Sequence, residues 1–136
     1  MDKETEQEER MREAYEEEHR QVERTKRVHE LNDTMRADLD LIGVRIGNGR
    51  LVITRGVAAR GNDFVDRAVA AVRDFDAFTE DNDPYGEHDF GIFPLDGVSL
   101  NWKIDYYDQS MKWGSPDPSD PGTTKRVLTI LLADEY

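Results

Sequence analysis

The residues best suited to chemistry lie in the stretch 74–89, which holds seven carboxylates and one imidazole but no lysine or arginine. Pro84 and Gly86 interrupt any helix here, so the pattern predicts a loop that crowds like charges together. Such crowding is unfavourable unless a metal ion, a basic partner, internal hydrogen bonds or water compensates it. The acids are Asp74, Asp76, Glu80, Asp81, Asp83, Glu87 and Asp89.

A metal site or a catalytic histidine is one interpretation of this loop. The D-x-D-x-x-G run that starts at Asp81 opens like a calcium loop, but Ile92 stands where such a loop requires a bidentate glutamate. The standard motif is therefore excluded, and an irregular site with oxygen ligands stays open. His88 is a candidate general base if a carboxylate such as Asp105 orients it. The alternative function is a metal-dependent or His-based hydrolase that uses Asp81, Asp83, His88, Asp89 and Asp105.

Two aromatic residues favour a different interpretation, the binding of a basic protein. Tyr85 lies inside the acidic stretch, and Trp113 lies in a second segment that is expected to form a loop. Exposed aromatic rings rimmed by carboxylates suit a partner rich in arginine and lysine. We favour this interpretation, with a binding role rather than an enzymatic one and with no cofactor or resident metal expected. The predicted partner-binding residues are Glu80, Asp81, Asp83, Tyr85, Glu87, Asp89 and Trp113.

The composition of the 136-residue chain limits its partners and its compartment. Acids outnumber bases by 30 to 18, and the net charge of −12 argues against direct contact with nucleic acid or an anionic membrane. The chain has no cysteine, which excludes disulfide bonds and thiolate chemistry. It also has no apolar run of membrane-spanning length and no apolar leader. We expect a cytoplasmic protein.

The pattern of apolar residues divides the chain into a charged extension, residues 1–26, and one domain, residues 27–136. The extension is polar on all sides, which is typical of a marginal helix or a disordered tail, and we predict a long charged helix. A helix there offers a surface for pairing with a second copy in a homodimer. After the extension, apolar residues recur every three or four positions, which predicts that a helix docks on the domain from Val28. This stripe is Val28, Leu31, Met35, Leu39 and Ile42.

The domain is predicted to be α+β, with two helices on one face of a mostly antiparallel sheet of about four strands. Turns are expected at Asn48–Gly49 and at Asp96–Gly97, the second of which joins two strands as a hairpin. Three prolines predict an irregular loop at 109–124, and the apolar run that follows predicts a central strand buried on both faces. The predicted elements are a strand at 50–54, a helix at 63–78 with Asn62 as its N-cap, and strands at 90–95, 98–107 and 125–133.

Several long runs match a known family. They are FDAFTEDNDPYGEHDFG at 75–91, WKIDYYD at 102–108, SPDP at 115–118 and RVLTILLADEY at 126–136, with weaker likeness in HELND at 29–33 and LVITRGV at 51–57. On these runs the chain resembles the bacterial domain-of-unknown-function family 3768, with residues 1–26 as an extension. That family occurs mainly on plasmids and other mobile regions of proteobacteria and has no assigned activity. The resemblance implies a mobile-element setting, in which small acidic proteins often act against host defence by binding a basic protein or mimicking nucleic acid.

Overall fold

A long N-terminal helix leads into a small α+β domain in the computed structural model, which describes residues 2–39 and 49–136. The helices are α1 (Lys3–Ala37), α2 (Arg55–Ala58) and α3 (Asn62–Arg73). The strands are β1 (Arg50–Ile53), β2 (Phe90–Leu95), β3 (Val98–Tyr107) and β4 (Lys125–Leu132), and a short 3-10 helix, Ala133–Glu135, follows β4. No helix in the described ranges is long and apolar enough to cross a membrane.

The four strands form one mixed sheet in the order β1-β4-β3-β2. β3 runs antiparallel to both of its neighbours, whereas β1 and β4 run parallel. The fold class is therefore confirmed as mostly antiparallel α+β, and β4 is central, as its apolar run predicted. Alternation along β4 buries Leu128 and Ile130 completely on the helix side. On the other side Leu131 is buried, and Val127 and Thr129 are half-buried. The second face of this strand is thus less covered than the sequence indicated.

The core lies between the sheet and the helices. Trp102, near the middle of β3, is fully buried, and its indole packs edge-on against Phe75 and Phe78 with ring centroids 5.5 and 6.1 Å away. Gly91 lies opposite Trp102 in the β2–β3 ladder, and any side chain there would collide with the indole. The apolar residues that complete this layer from the helices and their ends are Met35, Leu39, Val57, Phe64, Ala68, Val69 and Val72.

The apolar stripe predicts a helix that ends at 78, but α3 ends at Arg73. The buried guanidinium of Arg36, from α1, donates to the backbone carbonyls of Val72 (3.0 Å) and Phe75 (2.7 Å). A continuing helix would use these carbonyls as acceptors for its own backbone N–H groups. At the helix end the guanidinium of Arg36 donates to them instead. The contact also joins α1 to α3 through a charged side chain rather than through apolar packing alone.

Most strand and turn predictions are confirmed, with small shifts at the ends of elements. β2 and β3 have the predicted bounds, and Asp96–Gly97 joins them with positive φ at both positions, as a tight hairpin turn requires. β1 and β4 each end one residue earlier than predicted. Gly61 rather than Asn62 caps α3, and the single turn α2 is an element that the sequence did not indicate. The turn residue Asn48 and the stripe residue Ile42 lie outside the described residues.

Helix α1 consists of an exposed part and a docked part. Residues 3–27 are almost all exposed, including the apolar Met11, Tyr15 and Val22. At 1.5 Å per residue this part extends about 37 Å. Val28 is the first fully packed residue, with 3% exposure, and the side chains that face the domain are buried from there on. The extension is thus helical rather than disordered, and the helix docks where the apolar stripe begins.

Candidate functional site

The acidic loop, residues 74–89, is held in place by its own polar side chains and by α1. The amide of Asn82 donates to the carbonyl of Ala77 (2.8 Å), and its oxygen accepts a backbone N–H three residues earlier (2.9 Å). From the other side, the buried Asn32 of α1 donates to the carbonyl of Glu87 (3.0 Å). These bonds connect the loop to itself and to the helix, so its backbone is fixed even though its outer side faces solvent.

The loop divides its seven carboxylates between solvent and the protein. Four acids and one aromatic ring are exposed: Asp74, Asp76, Glu80, Asp81 and Tyr85. Three acids turn inward: Asp83, Glu87 and Asp89. The side chain of Asp83 is only 6% exposed, whereas Tyr85 is 80% exposed and Trp113, in the β3–β4 loop, is 73% exposed. Of the predicted partner-binding residues, Glu80, Asp81, Tyr85 and Trp113 are accessible, and the inward acids make contacts within the protein.

His88 lies in a stack of rings between α1 and the acidic loop. Its ring is parallel to that of Phe78, with centroids 3.9 Å apart, and it also stacks on His29 of α1 at 4.1 Å. The backbone of His88 has a φ of 55°, and Asp83 stabilises this conformation by accepting the backbone N–H of His88 (3.1 Å). The side chain of His88 is 23% exposed, so solvent reaches part of the stack.

Each ring nitrogen of His88 faces a carboxylate. Nδ1 lies 2.9 Å from Oδ1 and 3.2 Å from Oδ2 of Asp33, and Nε2 lies 3.6 Å from Oδ2 of Asp83. Asp33 also receives a hydrogen bond from Arg36 (3.0 Å to Oδ1), and its Oδ2 lies 3.5 Å from Nε2 of His29. Two imidazoles and one carboxylate thus converge, which is a donor set that transition metals use in proteins.

A second polar cluster fills the space where α1 crosses the sheet. Asn32, which is fully buried, accepts a hydrogen bond from Nε of Arg126 (2.7 Å) and donates one to the hydroxyl of Tyr106 (2.8 Å). The same hydroxyl donates to the carboxylate of Glu87 (3.0 Å), and Arg126 also donates to the carbonyl of Pro118 in the β3–β4 loop. This network joins α1, the acidic loop and the two central strands.

Burial changes the ionisation of the groups around this network. The pKa of Asp89 is raised to about 6, first because the carboxyl is partly buried and second because the charge of Glu87 is close. Burial also raises the pKa of Tyr106, so its hydroxyl stays protonated and remains a donor. Burial lowers the pKa of Arg126, although the guanidinium remains charged at neutral pH. Asp89 can therefore hold a proton at mildly acidic pH.

The sheet separates Asp105, the remaining residue of the predicted hydrolase set, from the acidic loop. Asp105 forms an ion pair with Lys103 (3.0 Å) on the face of β3 opposite to the buried Trp102, whereas His88 stacks on the helix side through Phe78. The alternative hydrolase set, Asp81, Asp83, His88, Asp89 and Asp105, is therefore not brought together as one site. Asp105 lies across the sheet, and Asp81 faces solvent. Of this set Asp83 contacts His88, and the second carboxylate that faces its ring, Asp33, comes from α1.

Sequence reasoning missed four residues of these clusters: His29, Asn32, Asp33 and Arg126. One signal could have found two of them. Asn32 falls four residues after Val28 and three before Met35, at a position of the apolar stripe, where a polar side chain requires a buried partner. Arg126 alternates with Leu128 on the buried side of β4 in the same manner. His29 and Asp33 carry no comparable signal, because an exposed helix accommodates both residue types.

The structure defines the chain as a small α+β protein in which a long helix and an acidic loop meet at a cluster of histidine and aspartate side chains. A family model described as "Protein of unknown function (DUF3768)" matches residues 53–135, which is more than half of the chain. The chain belongs to this family, as the runs at 75–91, 102–108 and 115–118 indicated. The match includes His88 but begins after α1, so His29, Asn32 and Asp33 lie outside it. No curated protein and no solved structure matches the chain.

Proposed function

We propose that the protein is a non-enzymatic binding protein that recognises a basic partner protein through the outer side of the acidic loop. One observation carries the proposal. The ring of Tyr85 is 80% exposed in a loop whose exposed acids include Glu80 and Asp81, and within the described residues neither acid makes an ion pair. An exposed aromatic ring beside such carboxylates suits arginine and lysine side chains, which bind through cation–π contacts and charge-assisted hydrogen bonds.

The inward side of the loop supports this proposal because it fixes the outward side. Asn82 closes the loop on itself, and Asn32 and Asp83 hold the segment that ends at His88. A surface that is already ordered loses little conformational entropy when a partner binds. A free acidic tail of the same charge would have to be ordered at the moment of binding. The loop is thus better suited to specific recognition than its composition alone suggests.

The exposed part of α1 offers a second acidic surface. Residues 1–20 contain nine acids and four bases, and Gly86 of the loop lies close to the Thr25 side chain of α1. A net charge of −12 attracts a basic protein over a distance that depends on salt. The sharper form of the proposal is an anti-defence factor of a mobile element in the cytoplasm, whose carboxylates occupy the nucleic-acid channel of a host protein. This form rests on the family resemblance.

The test compares two variants that lose the same charge. The loop variant carries Glu80→Gln, Asp81→Asn and Tyr85→Ala, which alter the outer side of the loop. The control variant carries Asp66→Asn and Asp134→Asn, which remove two exposed carboxylates elsewhere. Each protein is immobilised, exposed to a proteobacterial lysate at low and high salt, and the bound proteins are identified by mass spectrometry. We expect basic proteins to bind the wild type and the control variant, to be released by high salt, and to be lost from the loop variant.

The proposal fails if the loop variant, with a native circular dichroism spectrum, retains the same proteins as the wild type. Duplex DNA added as a competitor tests the sharper form. If the partner's nucleic-acid channel is the binding site, DNA prevents capture of the partner. Capture that DNA leaves unchanged contradicts the sharper form and leaves the general one standing.

A further inference from the structure

We propose that His29, Asp33 and His88 bind one transition-metal ion of the Zn²⁺ type. His29 and Asp33 are four residues apart and lie on one face of α1, and His88 reaches them from the acidic loop. Two imidazole nitrogens and one carboxylate oxygen are ligands that zinc accepts, with a fourth position left for water or another group. This site differs from the set of loop acids that the sequence suggested, and it does not depend on the partner-binding proposal.

The distances between the ligand atoms agree with tetrahedral coordination. Zinc–ligand bonds of about 2.0–2.1 Å place neighbouring ligand atoms about 3.3–3.4 Å apart. Oδ2 of Asp33 lies 3.2 Å from Nδ1 of His88 and 3.5 Å from Nε2 of His29, on either side of that value. All three ligand atoms lie within 4.8 Å of one another. The two histidine rings stack with centroids 4.1 Å apart, so the partly exposed His29 ring has to tilt out of the stack for both imidazoles to face one ion.

Neighbouring side chains orient the proposed ligands. Asp83 faces Nε2 of His88 (3.6 Å), so a proton on that nitrogen leaves Nδ1 unprotonated for a metal. A carboxylate behind a metal-bound imidazole is a common arrangement in metal sites. Arg36 binds Oδ1 of Asp33 (3.0 Å), and Oδ2 lies within 3.5 Å of a ring nitrogen of each histidine. The ring of Phe78 packs flat on His88, with 1° between the ring planes, and limits its rotation. These contacts separate the cluster from a chance grouping of surface acids.

A metal here would join α1 directly to the acidic loop. All three ligands are partly exposed, so an ion has access from solvent. The bond would add to the contact that Asn32 makes with the carbonyl of Glu87 on the same two segments. Because the folded chain brings the ligands together and the unfolded chain does not, binding stabilises the fold by mass action.

The experiment uses the full chain after treatment with a chelator. Zn²⁺ binding is measured by calorimetry and by the shift in melting temperature, and Co²⁺ binding by visible absorption. We expect one ion per chain, a rise in Tm, and Co²⁺ bands typical of four-coordinate nitrogen and oxygen ligands. His29→Ala and His88→Ala should each abolish the Co²⁺ bands, and Asp83→Asn should weaken Zn²⁺ binding by about 10- to 100-fold. His19, an exposed histidine on the same helix, provides the control, because His19→Ala should bind Zn²⁺ like the wild type.

Three results would overturn the proposal: no saturable binding at one ion per chain, wild-type binding by His29→Ala, or an equal loss with His19→Ala, which would indicate adventitious surface binding. If His88→Ala does not fold, metal binding by the His29→Ala variant, which changes a partly exposed residue, decides whether the site exists. The variant with Glu80→Gln, Asp81→Asn and Tyr85→Ala should retain Zn²⁺ affinity. That variant therefore separates a failure of the metal site from a failure of the partner-binding proposal.

Discussion

Asn32→Ala tests whether the docked part of α1 belongs to the folded core. The side chain has no exposed surface and makes three hydrogen bonds, to Arg126, to Tyr106 and to the carbonyl of Glu87. Alanine leaves a buried guanidinium N–H and a partly buried carbonyl without these partners, at about 1–3 kcal/mol each and more for the charged group. Tyr106 keeps its bond to the Glu87 carboxylate. We expect a loss of about 3–5 kcal/mol from a free energy of unfolding of about 5–15 kcal/mol.

Urea unfolding, followed by circular dichroism and by tryptophan fluorescence, measures this loss. For a chain of this size, the expected loss lowers Tm by about 10–20 °C. Gln21→Ala removes an exposed amide from the same helix and should stay within about 0.5 kcal/mol of the wild type. Combining Asn32→Ala with Arg126→Met should cost less than the sum of the two single changes, because no guanidinium is then left unpaired. An Asn32→Ala variant within about 1 kcal/mol of the wild type would refute this account of how α1 docks.

Three further predictions concern the extension, the central strand and the hairpin. Deleting residues 1–24 should leave Tm within a few degrees, because the described residues of this segment are almost all exposed. Gel filtration of the same variant tests whether the segment pairs two copies of the chain. A collapse of the shortened chain contradicts the separation of the two parts. Ile130→Asp places a charge at a fully buried position and should cost several kcal/mol, so a soluble variant with native circular dichroism contradicts the strand order. Hydrogen bonds from Arg67 lower the pKa of Asp96. The ionised carboxylate therefore stabilises the fold fully at pH values above the ordinary aspartate pKa. This stabilisation is lost as the pH falls through the lowered pKa. Asp96→Asn should therefore be less stable than the wild type at neutral pH and equal to it once pH falls below the lowered pKa; a difference that persists in acid contradicts this cause.

The secondary structure could be predicted from the sequence because each element has its own apolar period. β2 and β3 alternate inward and outward residues on either side of a two-residue turn that allows positive φ, so local residues determine both their length and their pairing. The docking of α1 from Val28 follows from a helical stripe in the same way. The end of α3 could not be predicted, because Arg36 acts on it from another helix.

The polar clusters could not be predicted from the sequence for a related reason. His88 contacts Asp33 across 55 positions, and Asn32 contacts Arg126 across 94 positions. A local pattern shows that a polar residue occupies an apolar position, but it does not show which distant residue satisfies it. The sequence correctly identified the acidic loop as unusual. The inward side of the loop depends on Asn32 and Asp33 of α1 and on Tyr106 of β3, which no motif within the loop could specify.

The place of β4 in the sheet has a consequence for how the chain folds as it is synthesised. β2 and β3 form a hairpin from neighbouring residues, but among the described residues β1 pairs only with β4, and Arg50 meets Val127 across most of the domain. β4 is the last of the four strands to be made, so until it appears β1 has no strand partner and β3 has one free edge. Free strand edges favour association between chains, and contacts this distant in sequence form slowly. A nascent or prematurely terminated chain is thus exposed to aggregation and proteolysis until residues 125–132 insert between β1 and β3.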